Sequence, residues 1–513
     1  MAQVAYRANL SAKSFPFVSD NFGRTVIVPQ YDNTFNRQVS SDQDSDKDVG
    51  IPQIYYCHNV MPHAQGLQSV GYDVVIPAAD PAVTDFDFIY AIRDESGYKT
   101  YMGITSTGDF YVYTSATGPG TPTEWRYIRS YPPGLLVTVA YVAGTTYIYI
   151  ATQGCIRFDF ASNTFVTVTL TGLSVPDTLG VVGAAGYLIA WTKTAIAWSS
   201  TIDPTDFVPS LVTGAGGGNV SDMKGTITVC APHIQGFIVY ATENAVASIY
   251  SGNARYPFNF RPITNSGGLA SPDLLGIDTN TGNHYAYTTY GLQTITTNGA
   301  QVVWPEVTDF VAGKLFEDFN ETTNAFSLTV LSATMQKRLQ VVAGRYLIIS
   351  YGVSGLTHSI VYDIAQKRFG KLKIPHVDVF EYNYPSIAVT ETPRQSLGFL
   401  QADGTAKVVD FSVNYAGSNG VLVLGKYQFV RSRLLTLDII ELENVQVGAT
   451  FELKVFTAVD GKNFTAYSPT LLLEDGRLRK YGYDKTGRNH SLCFKGQFHV
   501  ESLELAFHVH GRM

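Results

Sequence analysis

The residues best suited by type and spacing to hold an ion lie near the two ends of the chain. Asp42, Asp44, Asp46 and Asp48 alternate through SSDQDSDKD, a spacing of carboxylate oxygens that calcium loops use. The EF-hand pattern wants glycine at its sixth position and a bidentate glutamate at its twelfth; here those places hold Lys47 and Gln53. Clustered like charge and low hydrophobicity read instead as a solvated surface loop. His508 and His510 share one face of a strand-like run, with His490 and His499 in the runs before it. Imidazoles so placed suit zinc, but no acidic or cysteine partner accompanies them in sequence. A polar strand edge or a subunit contact is the simpler reading, and no metal site is assigned.

Nucleophile and phosphate chemistry leave no better trace. HExxH, GxSxG and GxxxxGK[ST] are all missing. The run Gly214-Ala215-Gly216-Gly217-Gly218-Asn219 resembles a phosphate loop only superficially. The next segment, VSDMKGTITV, reads as a strand and not as a helix whose N-terminus could hold a phosphate, so the run is expected to be a flexible loop. Cys57, Cys155, Cys230 and Cys493 lie far apart with no CxxC, which indicates neither a zinc site nor a disulfide framework. Cys57 and Cys155 sit in apolar runs and are expected to be inert core thiols. The expectation is a protein with no catalytic centre and no cofactor.

The elements around these residues are β-rich. The chain has 513 residues, 45% hydrophobic and 13% aromatic, with Tyr 32 and Phe 29 against Trp 4. Tyr, Phe, Val and Thr suit pleated, half-buried surfaces. Charged residues make up 15%, below the roughly 25% of an average domain, and the net charge of -7 argues against a general nucleic-acid binder, which would show a basic stripe. The N-terminus lacks the apolar core of a signal peptide, and no run of apolar residues is long enough for a membrane helix; a soluble chain made in a cytoplasm is expected.

From residue 83 to 413 apolar-aromatic strands recur in sets of four, separated by turns rich in Gly, Asn, Asp and Thr. The first set is FDFIYAIRD, TYMGITS, GDFYVYTS and EWRYIRS; the third ends on DFVPS near Ser210. A repeat of roughly 40 to 50 residues with four strands each predicts a β-propeller of seven blades, or six; a long sandwich or a pair of barrels is the competing fold. The second strand of each set is apolar on both faces, as burial between blades requires. Tight turns at Thr107-Gly108, Gln153-Gly154 and Tyr290-Gly291 fit short hairpins. The seventh set (VDVFEYN, SLGFLQA, AKVVDFS) offers only three strands, and a strand from residues 66–77 is expected to complete it and close the ring.

The ends differ from the repeat. Residues 1–82 read as an N-terminal platform or arm segment carrying the closing strand, with a strand-like run at Arg24–Pro29. Residues 414–513 carry longer strands and denser charge, and Asp460-Gly461 marks a hairpin turn; these predict a separate antiparallel β-sandwich. The fold class is therefore all-β, a propeller with an added sandwich and N-terminal β segments.

Several segments resemble the tail hub, or nozzle, proteins of short-tailed bacteriophages. AWSSTIDPTDFVPS (Ala197 to Ser210) is similar to a blade segment reading roughly W-S-x-x-x-D-P-x-x-F in that family. FIVYATENAVASIYSG from Phe237 and SIVYDIAQKRFGKLKIP from Ser359 resemble later blade strand pairs, and RNHSLCFKGQFHVESLELAFHVHGR resembles the closing strands of phage tail sandwiches. The likeness covers residues 60–410 in style. It implies a structural virion protein in a ring, most simply a hexamer, that hangs below the portal and adaptor, meets tail fibre or needle proteins, and conducts DNA through its channel. An acidic chain suits a channel on which DNA slides, since phosphate affinity comes from Lys and Arg. Two other readings compete: a glycan-binding or glycan-degrading propeller, such as a receptor-binding tail protein, and a non-viral propeller scaffold. The sialidase Asp box has its nearest match at Ala458–Phe464, inside the expected sandwich and not in a blade.

Overall fold

The computed structural model describes residues 2–9, 54–63, 66–93, 99–115, 122–253, 256–312, 316–323, 325–330, 335–383, 395–412, 417–427, 433–460, 463–474 and 477–512. The Asp42–Asp48 loop and the run at Arg24–Pro29 lie outside them.

Among the described residues seven four-stranded antiparallel units succeed one another along the chain. The first five occupy residues 86–130, 137–168, 180–219, 227–262 and 275–302. The sixth spans 336–376, and the seventh combines Asp378–Asn383, Gln395–Leu400 and Ala406–Asp410 with Gly71–Ile76 from far upstream. That upstream strand pairs antiparallel with Ala406–Asp410, Tyr72 opposite Val409.

Hydrogen bonds join each unit to the next. Arg93 N donates to Thr146 Oγ1, Val181 N to Thr138 Oγ1, and Ile227 N to Lys193 O. Tyr240 meets His284, Asn280 Nδ2 donates to Gly344 O, and Gln340 Nε2 to Asp378 Oδ1. Ile89 N donates to Asp378 Oδ2, which brings the seventh unit back against the first. The chain is a closed β-propeller of seven blades.

Packing explains why these strands form. The second strands Thr145–Ile150, Tyr187–Trp191, Gly236–Ala241 and Tyr346–Gly352 are buried at every position, because both faces of a blade pack on neighbouring blades. Gly108 takes φ +89, and a Cβ there would collide with Tyr131 O, so the turn entering the third strand of blade 1 requires glycine.

Blade 3 departs from expectation. Its fourth strand is Gly216–Asn219, paired with Ala195–Trp198, and not residues 206–210. The glycine run is thus an outer strand. A Cβ on Gly216 would come within 3.0 Å of the Trp198 ring, so glycine lets the strand lie against the indole. Residues 206–210 belong to a turn-rich connection that returns to Thr171 through a bridge at Asp206.

The C-terminal strands are not a separate unit. Blade 6 continues from Arg368–His376 through Val60–His63 and Gly66–Ser69 into the long strands Phe498–Arg512 and Arg433–Val447. Ala2–Asn9 pairs along Phe498–Arg512. A second sheet, in the order Ile54–His58, Gly420–Tyr427, Asn489–Gly496, Glu452–Ala458 and Thr465–Tyr467, covers this extension. Leu422, Leu424, Leu492 and Phe494 of one sheet and Leu437, Leu503, Leu505 and Phe507 of the other are buried in one cluster that also holds Leu339, Leu347 and Phe310 of the propeller side. Local patterning gives no sign of the pairing between Val60 and Lys371, which makes platform and propeller share a sheet and a core.

Candidate functional site

Two charged clusters occupy the places where the architecture is held together. The first lies on the inner strands of the propeller. Arg338, on the innermost strand of blade 6, is largely buried. Its Nη1 stands 3.2 Å from Asp378 Oδ1, its Nη2 3.5 Å from Asp87 Oδ1 and its Nε 3.9 Å from Asp273 Oδ1. Nη1 also donates to Val377 O and Asp87 O, and the guanidinium carbon lies 4.5 Å from the Phe88 ring centroid. Asp378 is buried and accepts from Ile89 N, Val379 N and Gln340 Nε2 at 2.8–3.0 Å. Burial nevertheless raises its pKa above the usual carboxylate value, against the pull of Arg338 and these donors. One guanidinium thus ties blades 5, 6, 7 and 1 together.

The second cluster sits in the joint between propeller and platform. Glu321 Oε2 lies 3.2 Å from His58 Nδ1, and its other oxygen accepts from Lys373 Nζ. The Tyr56 hydroxyl is 2.7 Å from the same His58 nitrogen. The hydrogen bond from His58, aided by the charges of His58 and Lys373, pulls the Glu321 pKa down to about 2. Lys371, 1% exposed, places its ammonium 5.2 Å from the Phe310 ring centroid and 5.7 Å from that of Tyr56. Burial, with the charge of Lys371 next in size, drives the His358 pKa down to about 2. The imidazole stacks on Tyr351 at 5.5 Å, and its Nδ1 lies 2.9 Å from Thr357 Oγ1.

The histidines weighed as ligands are dispersed. His508 Nε2 donates to Asp438 Oδ2 at 3.1 Å across the pairing of the two long strands. The missing acidic partner is thus supplied by the neighbouring strand, and the pair is an ion pair when His508 is protonated. His490 is buried, donates from Nε2 to Leu435 O, and has its pKa lowered to about 4 by burial. His499 packs edge-on to His63 at 5.9 Å. The side chain of His510 lies outside what the structure describes. Among the described residues no three His, Cys, Asp or Glu side chains gather as a metal would need. All four cysteines are buried, and burial pushes the Cys155 and Cys493 thiols up to about 12.

Ring and sheet order define a seven-bladed β-propeller protein whose sixth blade grows into a two-sheet platform. No family model and no curated protein matches the chain. Among solved structures it is similar to YCF48 bound to a D1 peptide, at 10% identity and a TM-score of 0.39 over 70% of this chain and 99% of that one. It is also similar to YCF48 from Cyanidioschyzon merolae, at 11% identity and 0.38, covering 66% and 98%. A third likeness is to the N-terminal domain of Nup159, at 8% and 0.33, covering 68% and 97%.

Sequence reasoning did not find the Arg338 cluster, whose members are scattered from Asp87 to Asp378. One signal was present: a charged residue within an apolar inner strand, as in FDFIYAIR and DVFEYN.

Proposed function

We propose that this chain is a structural subunit of a short bacteriophage tail, a hub or nozzle protein that assembles as a ring, most simply a hexamer, and extends the DNA channel below the portal and adaptor. In this reading it works without a catalytic centre or cofactor, resides in the virion tail, and touches DNA only in passage. The observation that carries it is the sheet running unbroken from blade 6 through residues 60–69 into two 15-residue strands. A propeller fused to its platform by backbone hydrogen bonds and a common core behaves as one stiff body, which suits a part that must hold its shape under load. The platform sheets end on the short strands Leu472–Glu474 and Thr465–Tyr467, edges that a neighbouring subunit can cover. Head-to-tail contacts of this kind close into a ring when the rotation allows. The blade segments at Ala197, Phe237 and Ser359 add the family resemblance.

One feature favours the competing reading. A groove of about 1040 Å³ between blades 4 and 5 is lined by the exposed Tyr290 with Asp222, Lys224, Glu243 and Gln301, an aromatic ring among polar groups such as sugars use. Mass measurement and electron microscopy of the purified protein, alone and with portal–adaptor complexes, test the proposal together with a glycan array. Rings or docking onto the portal–adaptor end support it; a monomer that ignores that end and binds glycans replaces it with the alternative.

A further inference from the structure

Three carboxylates face one guanidinium on the propeller's inner strands. Asp378 is fully engaged with Arg338 and three further donors. Asp87 and Asp273 are engaged far less: their side chains are 43% and 44% exposed, and Arg338 reaches them only at 3.5 and 3.9 Å. Burial and the neighbouring Asp273 charge push the Asp87 pKa up, against the opposing pull of Arg338.

Both carboxylates line a cavity of about 360 Å³, formed by blades 1 and 2 and the turn at Pro272–Leu274. Its remaining wall is mainly apolar, with Phe88, Tyr90, Ile104, Phe110 and Leu135. The wall also includes Tyr131.

These features together select a ligand chemistry. A neutral apolar ligand would strip water from two carboxylates and give nothing back. A bare cation would leave the aromatic wall unused. An alkyl stem ending in a planar cation satisfies both parts: the stem packs on Tyr90, Ile104 and Leu135, and a guanidinium's fork of N–H donors reaches the half-exposed Asp87 and Asp273 carboxylates. The volume is at the low end for a ligand site, enough for one long side chain and too small for a folded element.

We propose that this cavity is a docking socket for an arginine side chain presented by a partner protein. The proposal stands independently of the tail assignment, since it rests on the cavity alone.

The test is a titration of the full-length protein with a capped, fluorescent Gly-Gly-Arg-Gly-Gly peptide, its Gln counterpart, and spermidine as competitor. The arginine peptide binds at least roughly tenfold more tightly than the glutamine peptide, the scale of one charge-assisted hydrogen bond. Asp273→Asn weakens the arginine peptide by a similar factor. Ser106→Trp, at an exposed position on the cavity wall, blocks the cavity and abolishes the arginine preference, which keeps the test open should Asp273→Asn fold poorly. Equal binding of the two peptides, or affinity untouched by both substitutions, overturns the socket. Spermidine binding tightly where the arginine peptide does not bind overturns the choice of a protein partner.

Discussion

Replacing Arg338 by alanine gives the most informative perturbation of the ring. The substitution leaves Asp378, whose side chain is 3% exposed, as a buried carboxylate without its cation. It also removes donors to Val377 O and Asp87 O and the contact over Phe88. Removing one partner of a buried pair costs about 3–5 kcal/mol, and the three donors left on Asp378 place the expected loss toward the lower end. The pH dependence has a definite sign. Burial already raises the folded-state pKa of Asp378 above its unfolded value, so the folded state binds its proton more tightly, and this contribution to stability falls as pH rises through that window. Losing Arg338 removes an influence that lowers this pKa and so widens the window. The deficit of Arg338→Ala relative to wild type is therefore full at neutral pH and shrinks as pH falls below the raised value. Adding Asp378→Asn removes the orphaned charge and recovers about 1 kcal/mol or more, within the usual range for coupled neighbours. Urea denaturation followed by circular dichroism, at neutral and acid pH, reads all three quantities. A loss below about 1 kcal/mol, a deficit independent of pH, or no recovery in the double variant refutes the reasoning.

Other perturbations probe the joint and the core. Glu321 titrates at about 2 in the folded protein against an ordinary 4.5; its stabilisation is present above the ordinary value and lost as pH falls toward 2, so Glu321→Gln flattens that part of the acid-stability curve in thermal melts. Gly370→Ala places a Cβ 2.5 Å from Val60 O, where blade 6 meets the platform, and is expected to cost about 1–3 kcal/mol by denaturation. Leu505→Ala, at a fully buried position in the shared cluster, costs about 2–5 kcal/mol and moves the unfolding of propeller and platform together in calorimetry; a split into two transitions contradicts the common core. Leu211→Ser, at a position 72% exposed, changes stability by no more than about 0.5 kcal/mol in the same melts.

The blades are legible in the sequence because their second strands are apolar on both faces and recur at a regular interval. The outer strand of blade 3 is not, since Gly216–Asn219 carries no hydrophobic alternation and has low strand propensity; what places it is the Trp198 ring beside it. The platform strands are readable one by one, yet the sandwich reads as separate because its connection to blade 6 is a backbone pairing between Val60 and Lys371 that no local pattern encodes. Asp438 goes unnamed as the partner of His508 for the same reason: it lies on an adjacent strand, 70 residues away. Charge at the propeller's inner strands is visible only as isolated Asp and Arg residues in apolar runs, and three dimensions are needed to show that they converge.

The proposal that the chain is a stiff propeller–platform subunit of a phage tail ring is tested most directly by cryo-electron microscopy of tailed particles produced in cells that carry its coding sequence. The expected result is a ring of copies below the portal and adaptor, each a seven-bladed propeller continuous with its platform through residues 60–69, around an open channel. Absence of the protein from the particle, or its presence only as separate receptor-binding units away from the channel, would contradict it.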